Sequence, residues 1–481
     1  MNKWFVLRLR RSVLVISSCV ALGAGLVLGR FCIVHSFWWV WGFVPFLVLA
    51  MRRHGIATLL LLVIVFFGVG WWRGSDFAQK LSIYTTLQKQ KVVVVGRATE
   101  DGVYGQNSQM VFGMDNLHVI WPRDIHLIGS IGVKGFGVPS INRGDIVKVS
   151  GSVFLTRGNN LASIGYSSLQ IVQSRPSVLE GIRHRFVAGI QSALPEPEAS
   201  FGLGLLVGQR STLPADLTQQ IMMVGLTHVI AVSGYNLTII VEVTRRLFGK
   251  LSKFQNTALC LALTGLFLLI TGSSPSIVRA SIISVLSITA WYYGRSIKPF
   301  VLLAVSATIS ALANPLYLWG NVSWYLSFLA FTGVLVVGPL LTQRFFGGKK
   351  PSLFIAVLIE SLCASIMTIP YILYIFGQVS LVALAANLLV VPLIPFAMLV
   401  TLVSGVAGML VAPVAGWLAV PARIVLTYML DVCALLSRVP HAFIQNVTLP
   451  AWMMLFIYSC VAAMCWLLWQ KNAKITDKNI L

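Results

Sequence analysis

Long apolar runs separated by short basic or turn-forming clusters dominate this chain, and a single stretch between Arg73 and about Glu180 breaks the pattern by alternating β-branched with polar residues. A membrane crossing by a helix needs about 20 predominantly apolar residues. On that measure the runs at residues 12–29, 37–50 and 55–72 predict three N-terminal spans. Further spans are predicted near 222–243, 258–271, 277–293, 300–313, 322–341, 353–371, 381–410, 415–436 and 452–469. A shorter amphipathic piece, 181–194, carries Arg183, His184 and Arg185 and has the character of an interfacial helix.

One run is unlike the others. In GLTHVIAVSGYNLTIIVEVT, residues 225–244, the apolar pattern is interrupted at its centre by Ser233, Gly234, Tyr235 and Asn236. A helix broken at membrane depth leaves backbone groups that only protein or a water-filled cavity can satisfy. The sequence therefore predicts a polar feature inside a helical membrane domain.

The basic residues set the topology. Lys3, Arg8, Arg10 and Arg11 hold the N-terminus in the cytoplasm, and Arg52 and Arg53 mark the return to it, as the positive-inside rule expects. The run at 12–29 after this basic start reads as an uncleaved first helix, because further spans follow closely. The third span then places residues 73–180 outside the cytoplasm. There 91–101, 109–120, 126–137 and 144–158 read as strands or hairpin arms, with a fifth near 168–173. Five short strands in about 80 residues predict a small barrel of the oligonucleotide/oligosaccharide-binding (OB) kind. Its aromatic residues, Tyr104, Phe112, Trp121, Phe136 and Phe154, are too scattered along the sequence to define a stacking platform. The expected fold is thus a polytopic α-helical membrane protein with a small extracytoplasmic OB-like β-barrel insert. Its parts are helices in 1–72, the insert in 73–180, a helical channel domain in 181–470 and a basic tail in 471–481.

Composition agrees with a multi-pass membrane protein: 57% of the 481 residues are hydrophobic and 10% charged, against about 25% charged in ordinary globular proteins. The net charge of +22 is in part the cytoplasmic-loop bias, and what remains suits a polyanion. All seven cysteines lie in or beside apolar runs, without disulfide or metal spacing. The sequence holds no HExxH, Walker loop or dinucleotide fingerprint. No cofactor is expected, and energy for any transport must come from a partner or a gradient.

Four motifs in the second half are similar, in order, to the competence domain of ComEC-type DNA-uptake channels. They are GLLVGQRSTLPADL…VGLTHVIAVSGYNL (204–237), TGSSPSIVRA (271–280), NPLYLWGNVSWYLSFLAFTG (314–333) and SLCASIMTIPYILYIFGQVSLVALAANLLVVPLIP (361–395). The N-terminal helices and β insert fit the same resemblance. It implies a channel that passes single-stranded DNA across the cytoplasmic membrane, served by an external DNA receptor, a cytoplasmic helicase-like motor and a separate nuclease. Where the family commonly has Gly-Asp-Arg and Ser-Gly-Leu-His, this chain has Gly208-Gln209-Arg210 and Ser233-Gly234-Tyr235-Asn236, so an acid and a histidine give way to neutral amides. Many members also carry a C-terminal metallo-β-lactamase-like domain. This sequence stops soon after Trp469, and the expectation is a channel that is not itself an enzyme.

A strand with one charge per nucleotide needs cations or hydrogen-bond donors along its path and few carboxylates. Past Asp216 the membrane half holds only Glu242, Glu360, Asp431 and Asp477, a depletion that also follows from the cost of burying carboxylates in lipid. Arg279, a few residues into an apolar span, is the sharpest candidate, since an arginine at helix centre costs roughly 2.5–3.5 kcal/mol on insertion scales; the alternative is a snorkelling anchor. Arg210, just before a helix start marked by Pro214 and Asp216, is a second cation, or else an ordinary surface residue. His228, Ser233 and Asn236 in the broken run can donate hydrogen bonds beside freed backbone amides, or else serve as helix–helix glue. Asn314 and Asn387 are further polar groups inside spans.

Two other functions share these residues. A transporter for a small solute or lipid would use the broken helix as its substrate site. An intramembrane serine hydrolase would pair His228 with Ser233, although their spacing sets them about 140° apart on a continuous helix.

Overall fold

The structure, a computed structural model, describes residues 10–34, 56–104, 109–138, 140–156, 162–174, 178–208, 213–230, 234–271, 275–295, 298–347 and 351–478. The expected span at 37–50 lies outside them. Two helices, α1 (Arg11–Gly29) and α2 (Ile56–Thr86), precede seven strands: β1 (Lys91–Ala98), β2 (Val103–Tyr104), β3 (Met110–Trp121), β4 (Ile125–Leu127), β5 (Ile131–Phe136), β6 (Ile146–Leu155) and β7 (Ala162–Gln173). Then come α3 (Val178–Ala193), α4 (Glu198–Val207), α5 (Ala215–Met223), α6 (Thr227–Ile230), α7 (Gly234–Leu247), α8 (Lys253–Thr271) and α9 (Pro275–Tyr292). After α10 (Pro299–Ala313), α11 (Leu316–Gly320) and α12 (Val322–Thr332), a π-helical segment (Gly333–Val337) leads into α13 (Gly338–Phe346). The chain continues with α14 (Leu353–Phe376), α15 (Ala383–Val390), α16 (Ile394–Leu410), α17 (Ala412–Leu418), α18 (Val420–Ser437) and α19 (Ala451–Lys478). Among the described residues, 8 helices are long and apolar enough to cross a membrane, and the protein is a multi-pass membrane protein.

The residues fall into two compact units, Met1–Arg183 with Val285–Trp324, and His184–Ser284 with Tyr325–Leu481. In the first, α1 and α2 meet along glycines spaced four apart, Gly25 and Gly29 against Gly70 and Gly74. A Cβ on Gly29 would stand 2.6 Å from the Ser75 amide nitrogen, and one on Gly74 2.6 Å from the Leu26 carbonyl oxygen. Small residues let helix backbones approach this closely in lipid, where dispersion contacts replace the hydrophobic drive. Leu22 and Leu26 of α1 pack with Ala311 of α10, and the Trp319 indole donates to the Leu26 carbonyl at 3.1 Å.

The third span was expected to stop at residue 72, but α2 runs on to Thr86. Its 31 residues make about 46 Å of helix, against roughly 30 Å of hydrocarbon. The surplus turns carry Leu81 and Tyr84, which with Leu87 enter the core of the β domain, and the Tyr84 hydroxyl donates to the Ile128 carbonyl at 3.0 Å. Apolar residues on one face of the last turns give the helix a reason to continue past the lipid.

In the β domain, β1 pairs with both β3 and β6, β6 with β7, β7 with β5, and β5 with β3. The β5–β7 ladder is parallel and the others are antiparallel. The five long strands make the small OB-like insert read from the sequence. The arm expected at 126–137 is two strands, separated at Gly129 with φ +99°. Arg183 on α3 joins Asp101 at 3.2 Å, while the other oxygen of Asp101 accepts from the Arg143 amide at 2.9 Å.

The second unit is built round α4, EASFGLGLLV, in which every residue is buried. Gly202 admits Thr401 and Leu426 against this helix. Gly189 of α3 nests on α16, where a Cβ would stand 2.6 Å from the Gly405 carbonyl oxygen, so α3 is packed against protein along part of its length. Glu198 at the start of α4 accepts from the Thr427 hydroxyl at 2.7 Å. The run expected as one span at 222–243 is α5, α6 and α7 in succession, and the run at 381–410 is broken by a 3-10 turn at Val391–Leu393, where Pro392 supplies no amide hydrogen.

Replacing Gly74 by leucine is expected to lower the thermal stability of the detergent-solubilised protein by about 2–3 kcal/mol or more through overpacking, with Gly74→Ala less severe; fluorescence-detected thermal unfolding checks both. A second expectation concerns pH. Desolvation pushes the Asp115 carboxyl above its ordinary 3.8 despite the opposing pull of Arg97. The native state then holds that proton more tightly than the unfolded chain, so this group's contribution to stability falls as pH rises through the window above 3.8. Asp115→Asn should flatten that slope and leave stability at neutral pH equal or higher, as read from unfolding midpoints across pH.

Candidate functional site

Arg279 is the fifth residue of α9, whose Pro275 start suits a first helical turn. Its guanidinium carbon lies 5.5 Å from the ring centroid of Phe328 and 5.4 Å from that of Phe331. Those two phenylalanines are three apart on α12 and so share a helix face. The Arg279 Nε is buried and has no hydrogen-bond partner among the described residues, nor does any described carboxylate pair with the guanidinium. The cation lies against aromatic rings and has no counter-charge among the described residues.

Gly234 opens α7 beside it. A Cβ there would stand 2.7 Å from the Ala280 Cβ and 3.2 Å from Nη2 of Arg279, so a side chain at 234 would force α7 away from α9. The first turn of α7 leaves amide groups without intrahelical partners, and the helix end is favourable to anions. Two residues on, Asn236 is 2% exposed and donates from Nδ2 to the Leu205 carbonyl of α4 at 3.0 Å. Anchoring to the buried helix fixes where α7 begins.

The turn between α5 and α6 forms a second polar cluster. Gly225 has φ +77°, and a Cβ there would meet the Ala383 Cβ at 2.7 Å and the Ser380 Cβ at 3.2 Å. His228 shares a hydrogen bond with the Gly225 carbonyl through Nδ1 at 3.2 Å, which holds the turn. One helical turn along α15 from Ala383, Asn387 is 8% exposed. Its Oδ1 and the Ser380 Oγ are buried without a hydrogen-bond partner among the described residues.

Of the candidates read from the sequence, the structure places Arg279 beside Gly234 at the α7 start and Asn236 in the first turn of that helix, and His228 and Asn387 on elements that meet at Gly225. Arg210 and Ser233 lie outside the described residues. Asn314 belongs to the other compact unit, where its Oδ1 accepts from the Leu316 amide at 3.1 Å and closes the α10–α11 turn. Phe328 and Phe331 were not singled out from sequence, although their spacing within SWYLSFLAFTG was visible. The π-helical segment begins two residues beyond Phe331, and a Cβ on Gly333 would stand 2.9 Å from the Cys363 carbonyl carbon of α14. Tyr458 of α19 donates to the Met367 carbonyl of α14 at 2.9 Å, one turn before Pro370. Among the described residues no group of His, Cys, Asp or Glu is arranged to hold a metal ion.

Comparison with known proteins places this site inside a recognised region. A family model described as Competence protein matches residues 205–471, a stretch that contains every candidate residue above. The chain is also similar to ComE operon protein 3 of Bacillus subtilis (strain 168), 25% identical over 227 residues. That match covers 47% of this chain and 28% of the relative, so the chain spans well under two thirds of the protein it resembles. No solved structure matches it.

An unpaired guanidinium among apolar helices costs several kcal/mol of desolvation, and two aromatic faces return about 0.5–2 kcal/mol. Arg279→Met should therefore leave the thermal stability of the purified protein unchanged or raise it. A large loss of stability would mark the guanidinium as a structural tie instead.

Proposed function

The chain belongs to the Competence protein family, and on that premise we propose that it is a cytoplasmic-membrane channel for the import of single-stranded DNA during natural transformation. The observation that carries the reading is Arg279, a cation within the helical unit that lies against Phe328 and Phe331 with no carboxylate paired to it among the described residues. A phosphate passing the start of α7 meets the Arg279 guanidinium and the positive end of a helix together. The same geometry is weak as a permanent binding site, since a single cation without a closed pocket releases what it attracts. Conduction needs that balance between entry and release.

In this reading Asn236 positions α7 through the Leu205 carbonyl, while Gly234 keeps its start close enough to Arg279 for both to act on one phosphate. His228 and Asn387 stabilise and line the neighbouring turn. Arg210 and Ser233 are assigned to the same path on the sequence motifs that carry them. The β insert meets DNA outside the membrane. The channel works without catalysis of its own, with an external DNA receptor, a separate nuclease and a cytoplasmic helicase-like motor as its partners.

The test is entry of fluorescent DNA into a DNase-protected cytoplasmic pool, in wild type, a deletion strain, and Arg279→Met and Arg279→Lys expressed at wild-type level. Import should vanish in the deletion and fall about tenfold or more in Arg279→Met, with Arg279→Lys intermediate because the charge stays while the planar donor set is lost. Undiminished import in the deletion strain would overturn the reading in favour of a solute or lipid transporter.

A further inference from the structure

The outer face of β5, β6 and β7 gathers residues that lie far apart in the sequence. Phe154 of β6 stands opposite Ser163 of β7, and Phe136 of β5 pairs with Ser168 of β7. Between these two rows β7 bulges: Ile164 pairs with Val133, yet Ser167 pairs with Gly135, so Gly165 and Tyr166 together face Lys134 alone. Tyr166 sits on that bulge at φ +52° and is 84% exposed. Phe136 and Phe154 are 48% and 42% exposed, and the Phe154 ring lies over Gly165, 3.4 Å from where a Cβ would be. Lys148, opposite Gln170, extends the face at one end.

Two features need an explanation other than folding. A non-glycine residue with positive φ carries a backbone cost of about 1–2 kcal/mol, and a tyrosine that exposes its whole ring recovers little of it by packing. Strain of this kind, maintained at a bulge, is a recurrent mark of a functional position. The second feature is charge: β1, β5, β6 and β7 contain Lys91, Arg97, Lys134 and Lys148 and no aspartate or glutamate. Residue rows on a strand repeat about every 6.8 Å, and strands lie about 4.8 Å apart, so the three rings are offset by roughly the rise between successive nucleotides of an extended strand.

We propose that this face, centred on Tyr166 with Phe136, Phe154, Lys134 and Lys148, is a docking platform for unpaired nucleic acid: bases stack on the rings and phosphates lie against the lysines. The proposal rests on the strand-import reading above and adds the place where the single strand is held outside the membrane. Stacking on aromatics tolerates any sequence because every base has a π face. A duplex, whose bases are already stacked, gains only the lysine contacts.

The experiment uses the full chain in nanodiscs, with a fluorescein-labelled oligothymidylate and a duplex of equal length, read by anisotropy over a range of salt. Tyr166→Gly removes the ring while relieving the backbone cost, so its thermal stability should equal or exceed wild type while affinity for the oligothymidylate falls by about 5- to 100-fold. Tyr166→Phe should bind as wild type does. Lys134→Gln with Lys148→Gln should flatten the slope of log affinity against log salt by about 1.4, the release expected for two single-strand phosphates. Affinity unchanged in Tyr166→Gly, or duplex bound as tightly as the single strand, overturns the platform. The import assay separates the two readings: import lost on deletion with binding indifferent to Tyr166 removes the platform alone, and import unaffected by deletion removes both.

Discussion

The constraint on which this structure depends is that backbone polar groups surrounded by hydrocarbon must find partners within the protein. Residues 215–230 cannot be one helix, because Gly225 turns at positive φ and α6 is a single short turn. The chain can hold such a break at depth only if other elements enclose it. The buried helix α4 supplies the Leu205 carbonyl that fixes Asn236, α15 packs on Gly225 through Ala383, and α9 closes on Gly234. Each contact is made at a glycine or an asparagine because nothing larger or less polar would fit both the distance and the unpaired groups.

The same constraint gives Arg279 its character. A guanidinium in water would exchange partners freely. Against the rings of Phe328 and Phe331 its Nε is buried with no hydrogen-bond partner among the described residues. Aromatic rings hold a cation without neutralising it, whereas a carboxylate would hold it more firmly and cancel its field. The depletion of acids in the membrane half is consistent with this arrangement as well as with the cost of burying them.

Much of the architecture was legible from pattern alone. Apolar runs gave most of the helices, β-branched alternation gave the barrel strands, and the Ser-Gly-Tyr-Asn interruption marked the broken run. Element ends were less legible where tertiary packing overrode composition. α2 outran its apolar run because Leu81 and Tyr84 are needed by the barrel, and 126–137 split because Gly129 turns. Arg279 stood out by its cost, but its aromatic cradle did not, since Phe328 and Phe331 look like ordinary core residues until α9 is laid against them. Tyr166 gave no signal either: its exposure comes from a bulge, and bulges are set by the register of two neighbouring strands.

The continuous helix from Ile56 to Thr86 has a mechanical consequence. A domain tethered by a flexible linker can swing and absorb load, but here Tyr84 and Leu87 are cemented into the barrel core and the middle of the same rod is locked to α1 at Gly70 and Gly74. Tension or torque applied to the barrel is therefore transmitted as through a lever, without slack, to the glycine seam inside the bilayer.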